Sequence, residues 1–251
     1  MIFAHEGAGP AIIAPLVGTT AQMIAEQACA AERAGADIVE WRIDFLLDAH
    51  NSLSLASLTR EIVQDILSQT SIPILLTVRT AEQGGEARIT PGRYRLLIAE
   101  VLDALMQVDA PADRIGLDIE YWFDGAQALA ERAQEQGFTV VISHHDWIET
   151  PDPEVLYIMF TDMFEIPGTI AKLAVTAHSD DDVTSLFAVC DRIASRHKRP
   201  IIAIAMGEAG VRSRFDGWKH GSIATFATVG ERSAPGQPSI AEVREYLATQ
   251  T

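Results

Sequence analysis

FTVVISHHDWIETPDPEVLYIMFTDMFEIPGTIAKLAVTAHSDDDVTSLFAVCDRIASRHKRPIIAIAMG, residues Phe138–Gly207, is the stretch on which the fold turns. Three apolar, β-branched runs begin at Phe138, Thr169 and Pro200: FTVVISHHD, TIAKLAV and PIIAIAMG. Between them, DPEVLYIMFTDMFE and DDVTSLFAVCDRIAS carry apolar residues at the i, i+3, i+4, i+7 spacing of helices packing one face. The runs are continuously apolar rather than alternating, as parallel strands covered by helices are.

The same unit repeats on both sides. Upstream stand AIIAPLVG from Ala11, DIVEWRID from Asp37, PILLTVR from Pro73 and RIGLDIE from Arg114; downstream stands IATFATV from Ile223. Helical segments follow most of them: TAQMIAEQACAAERAG, SLASLTREIVQDILSQT, PGRYRLLIAEVLDAL, GAQALAERAQEQG, a short VRSRFDGWK and SIAEVREYLAT. Eight βα units spaced about 30 residues apart predict an α/β fold, a single (β/α)8 TIM barrel forming one domain over residues 1–251. An open doubly wound sheet would announce itself with a GxGxxG turn after its first strand, where this chain has VGTT. No Pro/Ser-rich linker divides the chain.

Composition narrows the partners. The 251 residues include 19 Lys+Arg against 35 Asp+Glu, a net charge of −16. That balance argues against nucleic acid and anionic membrane surfaces, which require clustered cations. An anionic substrate would need cations concentrated locally, because the global field repels it. Cys29 and Cys190 both lie in helical segments and read as core thiols, not a disulfide framework. The opening MIFAHEGAGP lacks the basic and apolar regions of a signal peptide, and no apolar run reaches membrane-span length, so a cytoplasmic protein is expected.

In a barrel the chemistry sits at the C-terminal strand ends. Here those ends carry Glu40, Arg42 and Asp44; Arg79; Asp118 and Glu120; Ser143, His144, His145 and Asp146; Lys172; then Arg212 and Arg214. Lys172 is one of three lysines and the only one inside an apolar strand, Lys198 and Lys219 lying in polar connections. An ammonium there is either paired, with Glu40 or Glu120 as candidates, or serves as an amine nucleophile. Of His144 and His145, strand alternation lets at most one face the lumen, as a general acid–base group or as a capping histidine. No HExxH or CxxC spacing suggests a metal. Arg42, Arg79 and Arg214 can present guanidinium forks to a carboxylate or hydroxyls, or pair with Glu40 and Asp118; Arg214, in a polar stretch, can also sit on an exposed face. The segments Glu82–Thr90 and Glu231–Pro238 are Gly- and Pro-containing loops, the second long enough to fold over a substrate.

Taken in order, EWRID (Glu40–Asp44), TVRTAEQGGE (Thr77–Glu86), SHHDW (Ser143–Trp147), AKLAV (Ala171–Val175), MGEAGVRSR (Met206–Arg214) and SAPGQ (Ser233–Gln237) resemble type I 3-dehydroquinate dehydratase, across about residues 11–243. The resemblance implies a hydro-lyase of the shikimate pathway, converting 3-dehydroquinate to 3-dehydroshikimate and water without metal or cofactor, in a homodimer. It implies that Lys172 forms an imine with the substrate ketone and that His145 is the general acid–base residue. Glu40, Arg42, Arg79, Arg214, Ser233 and Gln237 would hold hydroxyls and carboxylate, with Met206 and Phe226 lining the pocket. Asp118 and Gln83 are candidates behind that layer, Asp118 as a partner for the second nitrogen of His145. Gln83 stands where many members carry glutamate, Pro15 where some carry a polar residue, and His144 where asparagine is common. The alternatives are another lysine-imine barrel, such as a class I aldolase, and a ligand-binding barrel without turnover.

Overall fold

The structure, a computed structural model, describes residues 2–3, 9–47, 55–229 and 236–250. Eight parallel strands run in it: β1 (Ala11–Leu16), β2 (Ile38–Arg42), β3 (Ile74–Thr77), β4 (Ile115–Glu120), β5 (Thr139–Asp146), β6 (Ile170–Thr176), β7 (Ile201–Met206) and β8 (Ala224–Phe226). Each begins at the expected residue or one residue after it. Pairing follows chain order from β1 to β7, and β8 returns beside β1 with Ala11 opposite Ala224. The remaining seam narrows to a bridge between Ile201 and Ser222, where Ile223 N–H donates to Ile201 O at 2.9 Å. The TIM-barrel expectation is thereby met, with β8 shorter than its apolar run.

Among the described residues eight α-helices alternate with the strands: α1 (Ala21–Ala34), α2 (Leu55–Gln69), α3 (Pro91–Leu105), α4 (Ala126–Glu135), α5 (Pro153–Met163), α6 (Asp180–His197), α7 (Val211–Asp216) and α8 (Ile240–Ala248). Their starts are written locally. Thr20 and Thr90 accept from Met23 N–H and Arg93 N–H, while Ser179 with Asp182 and Ser239 with Glu242 close reciprocal capping boxes. The segment VRSRFDGWK makes only the two turns of α7 before tightening into a 3₁₀ turn, Gly217–His220. No described helix is long and apolar enough to cross a membrane.

The strands sort their residues by parity. On each strand one alternate set, with Val39, Trp41, Leu76, Leu117, Leu173 and Ala203 among its members, packs outward beneath the helices. Their neighbours Ile13, Ile38, Leu75, Val141, Ile170, Ile202 and Ala224 fill the lumen with Ile2 and Phe3, which close the N-terminal end of the barrel. Gly116 makes room for this plug, since a Cβ there would stand 2.6 Å from Ile2 Cδ1. Pro15, a residue unsuited to a central strand, is accommodated because its nitrogen faces β8 beyond that strand's last pair, Ile13 with Phe226.

Candidate active site

Parity also carries charge into the lumen. Ile170 and Ala174 belong to the inner cluster, so Lys172 between them points inward from β6. Its Nζ lies 3.0 Å from Asp118 Oδ2, 3.6 Å from Glu40 Oε1 and 4.5 Å from the centroid of the Phe226 ring. The ion pair considered from sequence therefore exists with Glu40, but Asp118 takes the place offered to Glu120. Glu120 is committed elsewhere: it accepts from Arg79 Nη1 (3.0 Å), Thr80 N–H and Oγ1–H (2.9 Å each) and Trp122 Nε1–H (2.7 Å).

Arg79 ties this floor together. Its Nη2 donates to Asp118 Oδ1 at 2.7 Å and its Nη1 to Ser143 Oγ at 3.0 Å, while the Ser143 hydroxyl donates to Asp118 Oδ1 at 2.6 Å. Burial alone would raise the Asp118 pKa, but Arg79 and Lys172 outweigh it and hold the carboxyl at about 2. A permanent carboxylate thus sits against the Lys172 amine. Thr77 Oγ1 donates to Glu40 Oε1 at 3.0 Å, fixing the second acid.

On β5, His145 shares parity with lumen-facing Val141 and lines the pocket, whereas His144 does not. The backbone N–H of His145 donates to Gln83 Oε1 at 3.0 Å, and Nδ1 lies 3.2 Å from the same oxygen. A backbone N–H can only donate, so the Gln83 atom is the carbonyl oxygen, and Nδ1 must carry a proton to bond it. That leaves Nε2 of the neutral ring as a free acceptor. Burial first, then Arg79, Lys172 and Arg42, pull the imidazole well below its ordinary pKa, so it is neutral at pH 7. Gln83, not Asp118, is the partner of the second nitrogen; both Asp118 oxygens are taken by Arg79, Ser143 and Lys172.

The remaining arginines differ in how they are held. Arg42 forms a two-pronged pair with Asp44, Nε to Oδ1 at 2.8 Å and Nη2 to Oδ2 at 2.6 Å. Asp44 also accepts from the backbones of Arg79 and Glu86, locking the ends of β2 and β3 to each other. Arg214 on α7 is buried at 3% exposure, which overturns the exposed-face reading of its polar stretch. It has no acidic partner among the described residues; Nη1 reaches only Phe226 O at 3.4 Å, and desolvation lowers its pKa to about 10.

One pocket gathers Glu40, Arg42, Arg79, Gln83, His145, Lys172, Arg214 and Gln237 with Met206 and Phe226. Asp118 lies beneath it, and Ser233 falls outside the described residues, as does most of the Glu231–Pro238 loop. Pro15, Ala174 and Ile204 make an apolar wall with Met206 and Phe226, facing a charged wall from β2 to β6. Gly84 and Trp147 also line the pocket without having been singled out. Both stood inside quoted motifs, but they lie beyond the strand ends, where parity no longer says which way a side chain points.

The family described as Type I 3-dehydroquinase matches residues 12–251. A 3-dehydroquinate dehydratase of Salmonella paratyphi B is 35% identical over 246 residues, spanning 96% of this chain and 93% of that protein. The crystal structure of the type I enzyme of Clostridium difficile, solved with covalently modified comenic acid, superposes with a TM-score of 0.84 at 29% identity, covering 97% of this chain and 93% of that one. The 3-dehydroquinate dehydratase of Geobacillus kaustophilus gives a TM-score of 0.85 at 28% identity, covering 97% and 91%. With six ordered motifs, the barrel and a family match over nearly its whole length, the chain belongs to the type I 3-dehydroquinase family.

Proposed function

We propose that this chain, acting as one barrel domain, dehydrates 3-dehydroquinate to 3-dehydroshikimate through an imine on Lys172. The observation that carries the reading is a lumenal lysine sharing its pocket with a histidine whose Nδ1 is engaged by Gln83 Oε1, leaving Nε2 as the acceptor. The Lys172 amine adds to the C3 ketone and water leaves, giving an iminium. Nε2 of His145 removes the C2 proton; the electron pair left on carbon is drawn toward the iminium, which accepts it better than a ketone would. The same proton then accompanies the C1 hydroxyl as it departs as water, and hydrolysis of the imine releases product.

Binding follows from the charge layout. Arg214, buried without an acid among the described residues, supports capture of the substrate carboxylate, and an arginine fork suits that geometry. Glu40, Arg42, Arg79, Ser233 and Gln237 are assigned with Arg214 to the substrate's hydroxyls and carboxylate, opposite the apolar wall of Met206 and Phe226. The resemblance to the family supports two further expectations, a homodimer and a cytoplasmic location.

The test is ultraviolet assay of enone formation from 3-dehydroquinate. Wild-type protein should form the enone; Lys172→Ala should lose it together with all imine. His145→Ala should form imine yet stall before elimination, a loss of at least the ~10²–10⁴-fold that a placed acid–base group contributes. Near-full activity in His145→Ala with loss in His144→Ala would reassign the base.

A further inference from the structure

The indole of Trp147 lies across Gly84. A Cβ added at Gly84 would stand 2.0–2.2 Å from Cε2, Cζ2 and Nε1 of that ring, so the ring edge occupies the space of the missing side chain. Gly84 also has φ 79°, a left-handed conformation that glycine adopts without strain. The next residue is pressed from the other side: a Cβ on Gly85 would stand 2.1 Å from Arg79 O. The loop holding Gln83 is therefore gripped between the Arg79 backbone and the Trp147 indole.

The two sides of this grip are fixed differently. Trp147 stands on a pinned turn, where Asp146 Oδ1 accepts from Ile148 and Glu149 N–H at 2.9 and 3.0 Å. Thr176 Oγ1 donates to Asp146 O at 3.0 Å, and His178 Nε2 lies 2.8 Å from Ile148 O. The Gln83 loop closes on itself through Gln83 N–H to Thr80 O at 3.0 Å and Gly84 N–H to Ala81 O at 3.2 Å, and is tied outward at its ends, where Thr80 N–H donates to Glu120 Oε1 at 2.9 Å and Glu86 N–H to Asp44 Oδ2 at 3.0 Å. Trp147 is 42% exposed, so it adds less to the core than a buried indole and can be changed without emptying the barrel.

We propose that Trp147 is a positioning residue: by clamping Gly84 it holds Gln83 Oε1 against His145 and so keeps the ring in its Nδ1–H tautomer. The catalytic consequence rests on the role proposed above for His145. Loosening the clamp lets Gln83 drift from Nδ1, and the population of rings with Nε2 free and aimed at the substrate falls.

A double-mutant cycle with a tautomer measurement tests this. Trp147→Ala should lower kcat about tenfold with little change in KM, short of the ~10²-fold that a misplacement of about 1 Å can cost. Trp147→Phe, which keeps a ring over Gly84, should retain most of kcat. If Trp147 acts through Gln83, Trp147→Ala/Gln83→Ala should be no slower than Gln83→Ala alone. Multiplying losses, or a loss confined to KM, would overturn the proposal. Nitrogen-15 NMR of His145 in ligand-free protein separates this from the reaction itself. Wild type and Trp147→Phe should show Nδ1–H, and Trp147→Ala a mixture; an unchanged tautomer in Trp147→Ala would overturn the clamp whatever the substrate. Wild-type protein inert toward 3-dehydroquinate would instead count against the proposed function, leaving the tautomer result to judge the clamp.

Discussion

Gln83 offers His145 an acceptor without a charge, and that choice sets how the pocket responds to pH. Burial, Arg79, Lys172, Arg42 and His144 all push the imidazole pKa down. A group whose charged form is disfavoured loses its proton at lower pH, so the acid limb of kcat/KM assigned to His145 should fall below the ordinary imidazole value of about 6.5. Gln83→Glu would place a carboxylate at the same oxygen and favour imidazolium. The His145 pKa should then rise, and the acid limb should move to higher pH. Paired pH–rate profiles of wild type and variant check this; a limb that stays put or moves toward acid would contradict it.

The element scale is where the sequence was most readable. Continuous apolar runs with helical segments between them gave strand starts within a residue; alternation alone said only that His144 and His145 face opposite ways, and it is the inward-facing Val141, Ile170 and Ala174 of the structure that turn His145 and Lys172 to the lumen. Contacts made through loops were not readable. Nothing in EQGGE says that Gln83 reaches across to His145, 62 residues away, or that Gly84 is empty to admit Trp147. The polar composition of α7 left an exposed face open for Arg214 beside the binding reading, and only the structure shows the helix tucking its guanidinium under Phe226 O. One local misfit remains at the end of α6. Lys198 has φ 51° and is the only non-glycine residue of positive φ among those described. A left-handed residue with a Cβ costs roughly 1 kcal/mol, partly offset by the greater freedom of an unfolded glycine. Lys198→Gly should therefore raise Tm by about 1–3 °C without altering turnover, read by calorimetry.

Across the whole molecule, stability and chemistry occupy opposite ends of the barrel. Ile2 and Phe3 close the N-terminal end, at 3% and 7% exposure, while the charged lumen opens at the other. Ile2→Ala removes the side chain for which Gly116 leaves space. It should cost about 2 kcal/mol, a midpoint shift in urea at unchanged m, with kcat preserved. A fall in kcat at unchanged stability would show the two ends to be coupled. The charge of −16 makes the local layout matter more, because an anion must be drawn past a repelling surface. The role proposed for Arg214, a buried arginine without an acidic partner among the described residues, would answer that need.

The most direct test of the lysine-imine account is intact mass of the protein after incubation with 3-dehydroquinate and borohydride, followed by peptide mapping. Borohydride reduces an imine to a stable amine. The account predicts a single ligand mass on Lys172, retained in His145→Ala and abolished in Lys172→Ala. Turnover with no adduct, or an adduct on Lys198 or Lys219, would contradict it.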